Sequence, residues 1–203
     1  MTESVDHFYA APACRHDVSD LAALAREALP SFPALHDPEG WRTSYRFGSG
    51  LHPRDNYLIA VRDGGEDGPL VGFIWVDAAM AVDYGVIEPW WCINAVAVAP
   101  AYRRAGHGRA LVLTAVERAR AIGVALIYGL SVRASVPFWE DLGFTVAADR
   151  EPLVSDRPAR RATGELARLD LDPETDHRWF VAYLQDPASA DSVLAPKGYL
   201  ARG

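Results

Sequence analysis

The sequence has 203 residues, of which 50% are hydrophobic and 23% are charged. This length and composition suit one globular domain with a substantial core and exclude a chain that is disordered throughout. The net charge of −7 argues against nucleic acid or an anionic membrane as the main partner and favours a cationic ligand.

The sequence carries no marks of secretion or membrane insertion. Two cysteines, Cys14 and Cys92, are too few for a disulfide framework. The first nine residues have neither a basic segment nor an apolar core, so they do not resemble a signal peptide. No uncharged apolar run reaches the roughly 18 residues that a membrane span needs. We therefore expect a cytoplasmic protein that does not act at a membrane.

The first part of the chain predicts a strand followed by a helix. Residues 8–15 favour the strand. Asp17 is a candidate N-cap for a helix whose apolar residues recur at helical spacing until Pro30.

Residues 30–55 are rich in proline, glycine, histidine and aromatic residues. Trp41 and Tyr45 are four residues apart, so a short helix would place both on one face. The two rings, together with Phe47, either pack on the core or line a ligand pocket.

The next elements are two strands and an acidic loop. Tyr57 to Arg62 and Leu70 to Asp77 flank a Gly- and Asp-rich link, which predicts an antiparallel hairpin. The loop that follows the hairpin carries Asp83 and Glu88.

The centre of the chain predicts a βαβ unit. The run from Ile93 to Val98 is typical of a strand buried on both faces, and Pro100 ends it. A helix from about Gly106 to Ala121 follows, with Gly123 as its C-cap. The second buried strand is Val124 to Val132, and it should run parallel to the first.

The last part of the chain predicts a short helix, an edge strand and an extension. The helix lies within residues 134–144 and ends at Gly143. Leu166 to Leu171 alternates as an edge strand should, and we expect it to complete the core sheet. Residues 1–171 would then form the main domain. Residues 172–203 would be a C-terminal extension that packs on the core or on a partner subunit, as in a homodimer.

The turn between the first strand and the helix of the βαβ unit is a candidate anion site. The first-turn amides of a helix have no intrahelical acceptor, and the helix dipole adds partial positive charge there. Small residues let a phosphate approach the backbone, and arginines add charged donors. The residues of this turn are Arg103, Arg104, Ala105, Gly106, His107, Gly108 and Arg109.

Two common phosphate-binding patterns do not fit this turn. The Rossmann fingerprint needs a third glycine where this chain has Leu111, and the Walker pattern needs a lysine, whereas the only lysine is the distant Lys197. The spacing instead resembles motif A of the GNAT N-acetyltransferase superfamily, matched by Val98, Pro100, Arg103, Arg104, Gly106 and Gly108. Phe138, Gly143 and Phe144 resemble motif B, but Trp139 stands where the family commonly has tyrosine.

This resemblance covers residues 8–171 and implies an α/β (α+β) GNAT fold. Such a fold has a mixed central sheet of about six to seven strands flanked by helices, and its parallel central strands splay apart. In the family, the loop binds the pyrophosphate of acetyl-coenzyme A, and the main chain of the first splayed strand pairs with the pantetheine arm. The resemblance places Val96, Ala97 and Val98 along that arm and Phe138 and Trp139 beside the coenzyme. It implies no metal, and the histidines show no metal-ligand spacing.

The resemblance also implies the reaction. The chain would move an acetyl group from acetyl-CoA directly to a primary amine of a small, cationic molecule, such as an amino-sugar antibiotic, a polyamine or an amino acid derivative. The alternatives are a peptide or protein N-acetyltransferase and a non-catalytic module that binds coenzyme A.

The proton transfers are assigned to residues outside the usual family positions. A family position for the catalytic carboxylate falls on Cys92, so Glu88 is the candidate base or amine-orienting group. Trp139 has no acidic proton, so Ser131 and Tyr128 are the candidates for protonating the leaving thiolate. The acceptor-binding candidates are Trp41, Tyr45 and Asp83.

Overall fold

The structure is a computed structural model that describes residues 8–44, 56–77, 89–155, 159–160, 166–167, 170–187 and 193–200. Its described helices are α1 (Val18–Ala28), α2 (Pro38–Ser44), α3 (His107–Ala121), α4 (Val136–Asp141) and α5 (Lys197–Leu200). The strands are β1 (Phe8–Pro12), β2 (Asn56–Asp63), β3 (Leu70–Asp77), β4 (Trp90–Val98), β5 (Leu126–Val132), β6 (Thr145–Val146), β7 (Leu153–Ser155), β8 (Ala159–Arg160), β9 (Leu166–Ala167), β10 (Asp170–Leu171), β11 (His177–Tyr183) and β12 (Leu194–Pro196).

Seven of these strands form one mixed sheet in the order β1-β2-β3-β4-β5-β11-β6. β4 and β5 run parallel, whereas β1 pairs antiparallel with β2, and β11 pairs antiparallel with β5. The long helix α3 connects the two parallel strands, as the predicted βαβ unit requires. The α+β fold with a mixed central sheet is therefore confirmed.

The prediction that Leu166 to Leu171 completes this sheet is wrong. β9 pairs with β8 in a separate two-stranded sheet, and β10 pairs with β7 in a three-stranded sheet with β12. The strand beside β5 is β11, which pairs with it along its whole length, from His177 opposite Val132 to Tyr183 opposite Leu126.

β11 lies inside residues 172–203, so the sheet continues past the predicted domain boundary. Three successive residues of this strand, Trp179, Phe180 and Val181, are buried. A strand that is buried on both faces loses the alternation by which a strand is found in a sequence, and its short apolar run looks like a cluster that merely packs on a surface.

Two compact units divide the described chain. One contains the residues up to Val76 and Ala95–Ala115, and the other contains Asp77–Asn94 and the residues from Val116 onward. The division falls within β4 and within α3, so each of these elements contributes to both units.

The core of the first unit forms around α1. Its buried residues recur at helical spacing and pack with Trp41, Phe73, Ala95 and Ala97. Asp17 is the N-cap of α1, as predicted, but its side chain does not cap the helix. The carboxylate accepts a hydrogen bond from the Cys14 amide at 2.7 Å and pairs with Arg62 of β2, so it connects the start of α1 to the sheet.

The core of the second unit has an aromatic group on each face of the sheet. Trp90, Cys92, Tyr128 and Trp179 lie together under apolar residues of the three-stranded sheet. The other group stacks Trp139 of α4 on Phe180 of β11, with Phe144 edge-on to both rings. A Cβ on Gly129 of β5 would lie 2.4 Å from Cζ of Phe180, so this position leaves room only for glycine.

Candidate functional site

The loop between β4 and α3 has the backbone of an anion site. A single 3-10 turn, Pro100–Tyr102, follows β4, and α3 begins at His107. Gly106, the last residue before the helix, has a φ of 89°, and nothing lies within 4 Å of the place that a Cβ would occupy. The loop is therefore open at Gly106, and the free amide groups of the first turn of α3 can donate to an anion there.

Side chains of the first unit hold the loop in place. The Tyr102 hydroxyl donates to Asp63 Oδ2 at 2.9 Å, and the Arg103 Nε donates to the Val98 carbonyl at 3.1 Å. The hydrogen bond to the Asp63 carboxylate raises the pKa of Tyr102, which keeps the hydroxyl protonated. Arg104 and Arg109 are exposed, so they are free to meet a ligand from solvent.

His107 is the first residue of α3 and is only 9% exposed. Its ring packs on Phe8 of β1, with the two centroids 3.9 Å apart. Its Nε2 is buried and has no hydrogen-bond partner among the described residues. An unpaired imidazole nitrogen at a helix N-terminus is suited to an anionic ligand, to which an Nε2–H group can donate.

The end of β4 alternates between the core and a half-buried face. Ala95 and Ala97 pack in the core of the first unit, whereas Val96 and Val98 are half-buried. Gly72 of β3 accommodates this segment, because a Cβ there would lie 3.1 Å from the Ala97 carbonyl oxygen. The proposed pairing of the Val96–Val98 main chain with a ligand stays a prediction.

Motif B covers α4 of the second unit and the residues just after it, with Phe138 and Trp139 on the helix. Trp139 is buried and stacks on Phe180 with the ring centroids 3.7 Å apart and the planes 14° apart. Phe138 is half-buried and packs edge-on against Trp139. In place of the family's tyrosine, this chain therefore has an aromatic residue that joins α4 to β11.

The thiol of Cys92 is buried between strands and stays protonated. Burial raises the pKa of the Cys92 thiol well above its usual range, and the charge of Asp77 raises it further, although a hydrogen bond with Tyr128 lowers it. A thiol that stays protonated is a poor nucleophile. The structure therefore argues against a covalent acyl-cysteine route.

The candidate proton donors are both buried. Tyr128 is 1% exposed and lies opposite Cys92 in the ladder between β5 and β4. The Ser131 hydroxyl donates to the Val132 carbonyl at 3.0 Å. Glu88 lies outside the described residues. The catalytic roles of all three residues stay predictions.

The sequence model of the acetyltransferase (GNAT) family matches residues 21–144. The chain belongs to the GNAT acetyltransferase family. Members of this family are acetyl-CoA dependent transferases, so the predicted enzyme class and coenzyme are confirmed.

Solved structures share the fold of this GNAT chain at low sequence identity. A GNAT family N-acetyltransferase from Escherichia coli in complex with CoA has a TM-score of 0.60 at 17% identity, and the match covers 93% of this chain and 87% of that one. The ribosomal-protein-S18-alanine N-acetyltransferase from Escherichia coli has a TM-score of 0.57 at 15% identity, covering 88% and 95%. An aminoglycoside 6′-acetyltransferase type Ii has a TM-score of 0.55 at 17% identity, covering 88% and 98%.

The acceptor candidates of this GNAT chain are only partly within the described residues. Trp41 is fully buried, donates its indole N–H to the Leu35 carbonyl at 2.8 Å and packs edge-on against Phe73. This placement corresponds to the core-packing alternative for Trp41 and speaks against direct contact with an acceptor. Tyr45, Phe47 and Asp83 lie outside the described residues, so their roles stay predictions.

Two further properties bear on partners of the GNAT chain. Among the described residues, no group of three or more His, Cys, Asp or Glu side chains could hold a metal ion. In the same residues, no helix is both long enough and apolar enough to cross a bilayer.

Sequence reasoning missed two residues that contribute to these sites. Phe8 belongs to the predicted first strand, and its contact with His107 joins residues that are distant in sequence. Phe180 lies in the predicted C-terminal extension, and it stacks on Trp139. Neither contact has a sequence signal, because each depends on which strands become neighbours.

Proposed function

We propose that this chain transfers the acetyl group of acetyl-CoA to a primary amine of a small, cationic molecule. The observation that carries the proposal is the loop before α3, where an open glycine, a helix N-terminus and an unpaired buried imidazole lie within three consecutive residues, Gly106–Gly108. Such a loop is suited to the pyrophosphate of the coenzyme.

The coenzyme would be held by main-chain and side-chain groups of this loop and its flanks. The amides of Ala105 to Gly108 would donate to the phosphates, and Arg103, Arg104 and Arg109 would add charge-assisted contacts. The main chain of Val96, Ala97 and Val98 would pair with the pantetheine arm as an added strand does. Phe138 and Trp139 would supply apolar surface beside the coenzyme.

The chemistry requires a free amine, a stabilised oxygen, a group that accepts the amine proton and a source of a proton for the thiolate. The bound coenzyme supplies an activated acetyl thioester. The amine forms a C–N bond to the acetyl carbonyl as the C–S bond breaks, the amine proton leaves, and the thiolate takes up a proton. Glu88 would accept the amine proton or orient the amine, while Ser131, Tyr128 or solvent would protonate the thiolate. An amide of Val96 or Ala97 would face the developing oxyanion.

Two observations bear on the acceptor. The net charge of −7 favours a cationic amine by long-range attraction. The structural neighbours include a ribosomal-protein acetyltransferase, Arabidopsis thaliana NAA60 in complex with a bisubstrate analogue, and an aminoglycoside acetyltransferase. Peptide or protein acetylation is therefore the second candidate function.

The expected cytoplasmic location and the expected homodimer stay predictions.

The test is a thiol-release assay with acetyl-CoA and a panel of aminoglycosides, polyamines, amino acid derivatives and short peptides. We expect turnover with at least one small amine and little with peptides. Turnover restricted to peptides would favour the second candidate. Coenzyme A binding without turnover of any amine would support the non-catalytic module instead.

The role of Glu88 has its own test within the same assay. If Glu88 is the base, the Glu88→Gln variant should lose the rise of the rate with pH that the wild type shows, because no carboxylate remains to accept the amine proton. An unchanged pH profile would eliminate this role.

A further inference from the structure

The loop before α3 is anchored at its two ends and exposed between them. We call residues 102–107 the coenzyme loop. Tyr102 is half-buried and His107 is buried, whereas the four residues between them, 103–106, are exposed. Ordering a loop when a ligand binds costs conformational entropy, so a loop whose ends are already fixed binds more tightly. The contacts that fix these two ends therefore bear on the affinity for the coenzyme.

Both ends of the coenzyme loop contact one pair of residues in the ladder between β1 and β2. Phe8 of β1 lies directly opposite Asp63 of β2, and opposite residues of an antiparallel pair present their side chains on the same face. The Asp63 carboxylate accepts a hydrogen bond from the Tyr102 hydroxyl at 2.9 Å. The Phe8 ring packs on the His107 ring with the centroids 3.9 Å apart. Two paired residues thus contact the start and the end of the loop, and all four residues belong to the first unit.

The hairpin that carries Asp63 is itself held in place. The Asp63 amide donates to the Pro69 carbonyl at 3.1 Å, which closes the turn between β2 and β3. Arg62 donates to the Gly68 carbonyl at 2.9 Å and pairs with Asp17 at the start of α1. Because these bonds fix the backbone around Asp63, its carboxylate can fix the position of Tyr102.

We propose that Phe8 and Asp63 are positioning residues that hold the coenzyme loop in its binding conformation. Asp63 acts through Tyr102 and Phe8 acts through His107, without touching the coenzyme. The affinity for acetyl-CoA then depends on two residues that lie outside both the loop and the helix that follows it. This inference rests on the proposed function, because it takes the loop to bind the pyrophosphate of the coenzyme.

The charge of Asp63 allows a test in which two explanations predict opposite signs. Removing a carboxylate near an anion site should, by charge alone, strengthen the binding of the anion. If Asp63 positions the loop, Asp63→Ala should instead weaken it. Asp67→Ala is the matched control, since it removes an exposed carboxylate from the turn of the same hairpin. Its Kd for acetyl-CoA should be unchanged or slightly lower.

The main measurement is the Kd of acetyl-CoA by titration calorimetry. Asp63→Ala and Tyr102→Phe should each raise the Kd about fivefold, the effect of losing one hydrogen bond. The double variant should raise it no further, because both changes remove the same hydrogen bond. Asp63→Asn keeps an acceptor oxygen and should recover part of the affinity. Tyr183→Phe is the control for the loss of a hydroxyl, since this hydroxyl donates to the Leu194 carbonyl in the second unit. Its Kd should equal that of the wild type.

The contact at the other end of the loop is tested without a change of charge. Phe8→Leu removes the ring that packs on His107 and should raise the Kd about threefold, the effect of losing one aromatic contact. Phe32→Leu is its control, because Phe32 is also an aromatic residue of the first unit but is 40% exposed. Its Kd should not change.

A shortened ligand separates positioning of the loop from general damage to the fold. S-acetyl-pantetheine carries the acetyl group and the pantetheine arm but has no phosphate. Its Kd, measured by competition with acetyl-CoA, should be the same in every variant and in the wild type. A purely structural role of Phe8 and Asp63 would instead weaken the binding of both ligands.

The binding measurements also separate this inference from the proposed function. A Kd for acetyl-CoA that is unchanged or lowered in both Asp63→Ala and Phe8→Leu, or an equal loss of affinity for S-acetyl-pantetheine, would overturn the inference alone. The expected losses of affinity without thiol release from any amine would overturn acetyl transfer and leave the positioning role intact. A wild type that does not bind acetyl-CoA would overturn both.

Discussion

At the scale of single residues, the clearest functional position is Gly106. Its φ of 89° and the open space where a Cβ would lie are both properties of the loop backbone. Glycine adopts this conformation at no steric cost, and it also leaves the adjacent amides accessible. One residue thus serves both the turn and the binding surface, and a matched substitution can separate these two roles.

Gly106→Val should lower the free energy of unfolding by about 1–2 kcal/mol, because a β-branched residue is strained at positive φ. It should also weaken acetyl-CoA binding at least tenfold by covering the amides. Gly123→Val is the control, since Gly123 has a φ of 79° and an equally open Cβ position but lies beyond the C-terminal end of α3. Titration calorimetry and urea unfolding should show a similar loss of stability in both variants and a loss of affinity only in Gly106→Val. Equal affinities would mean that the loop does not hold the coenzyme.

At the scale of elements, the second unit depends on close contact between β5 and β11. Phe180 lies directly opposite Gly129, and its ring covers the place where a side chain would be. The same ring stacks on Trp139 of α4 and therefore helps to fix the position of this helix. A change at Gly129 therefore acts on α4 through Phe180, although Gly129 and Trp139 are not neighbours in sequence.

Gly129→Ala should lower the free energy of unfolding more than a glycine-to-alanine change in an ordinary strand does. The new Cβ would lie 2.4 Å from Phe180 Cζ and 2.7 Å from the Ile93 carbonyl oxygen, so the ring and a strand must both shift. We expect a loss of at least about 2–3 kcal/mol in urea unfolding.

Gly72→Ala is the milder comparison for this change, because its nearest contact would be 3.1 Å, from the Ala97 carbonyl oxygen. Adding Phe180→Leu to Gly129→Ala should recover part of the loss, because the smaller side chain relieves one of the two contacts. If Gly129→Ala were as stable as Gly72→Ala, the close packing of β11 on β5 would be contradicted.

At the scale of the whole molecule, the sequence was most informative where chemistry is local. The loop from Arg103 to Arg109 could be interpreted in advance because its small residues, charges and helix start are consecutive. The identity of the strand beside β5 could not be predicted in this way. Leu166 to Leu171 has the better alternation, yet β11 takes the position, because this choice depends on how much apolar surface each segment buries against distant residues. For the same reason, the sequence could not predict that the buried indole N–H groups of Trp90 and Trp179 have no hydrogen-bond partner among the described residues.

The net charge also acts at this scale and gives a prediction of its own. With 27 acidic and 20 basic residues, the protein should attract a polycationic acceptor over distances that salt screens. At saturating acetyl-CoA, raising the ionic strength from about 0.05 M to about 0.5 M should lower kcat/KM for an aminoglycoside about tenfold. For glucosamine, which carries one positive charge, the loss should be about twofold or less, because attraction scales with the acceptor's charge. Equal losses for the two amines would show that the net charge does not select the acceptor, and that recognition depends on short-range contacts.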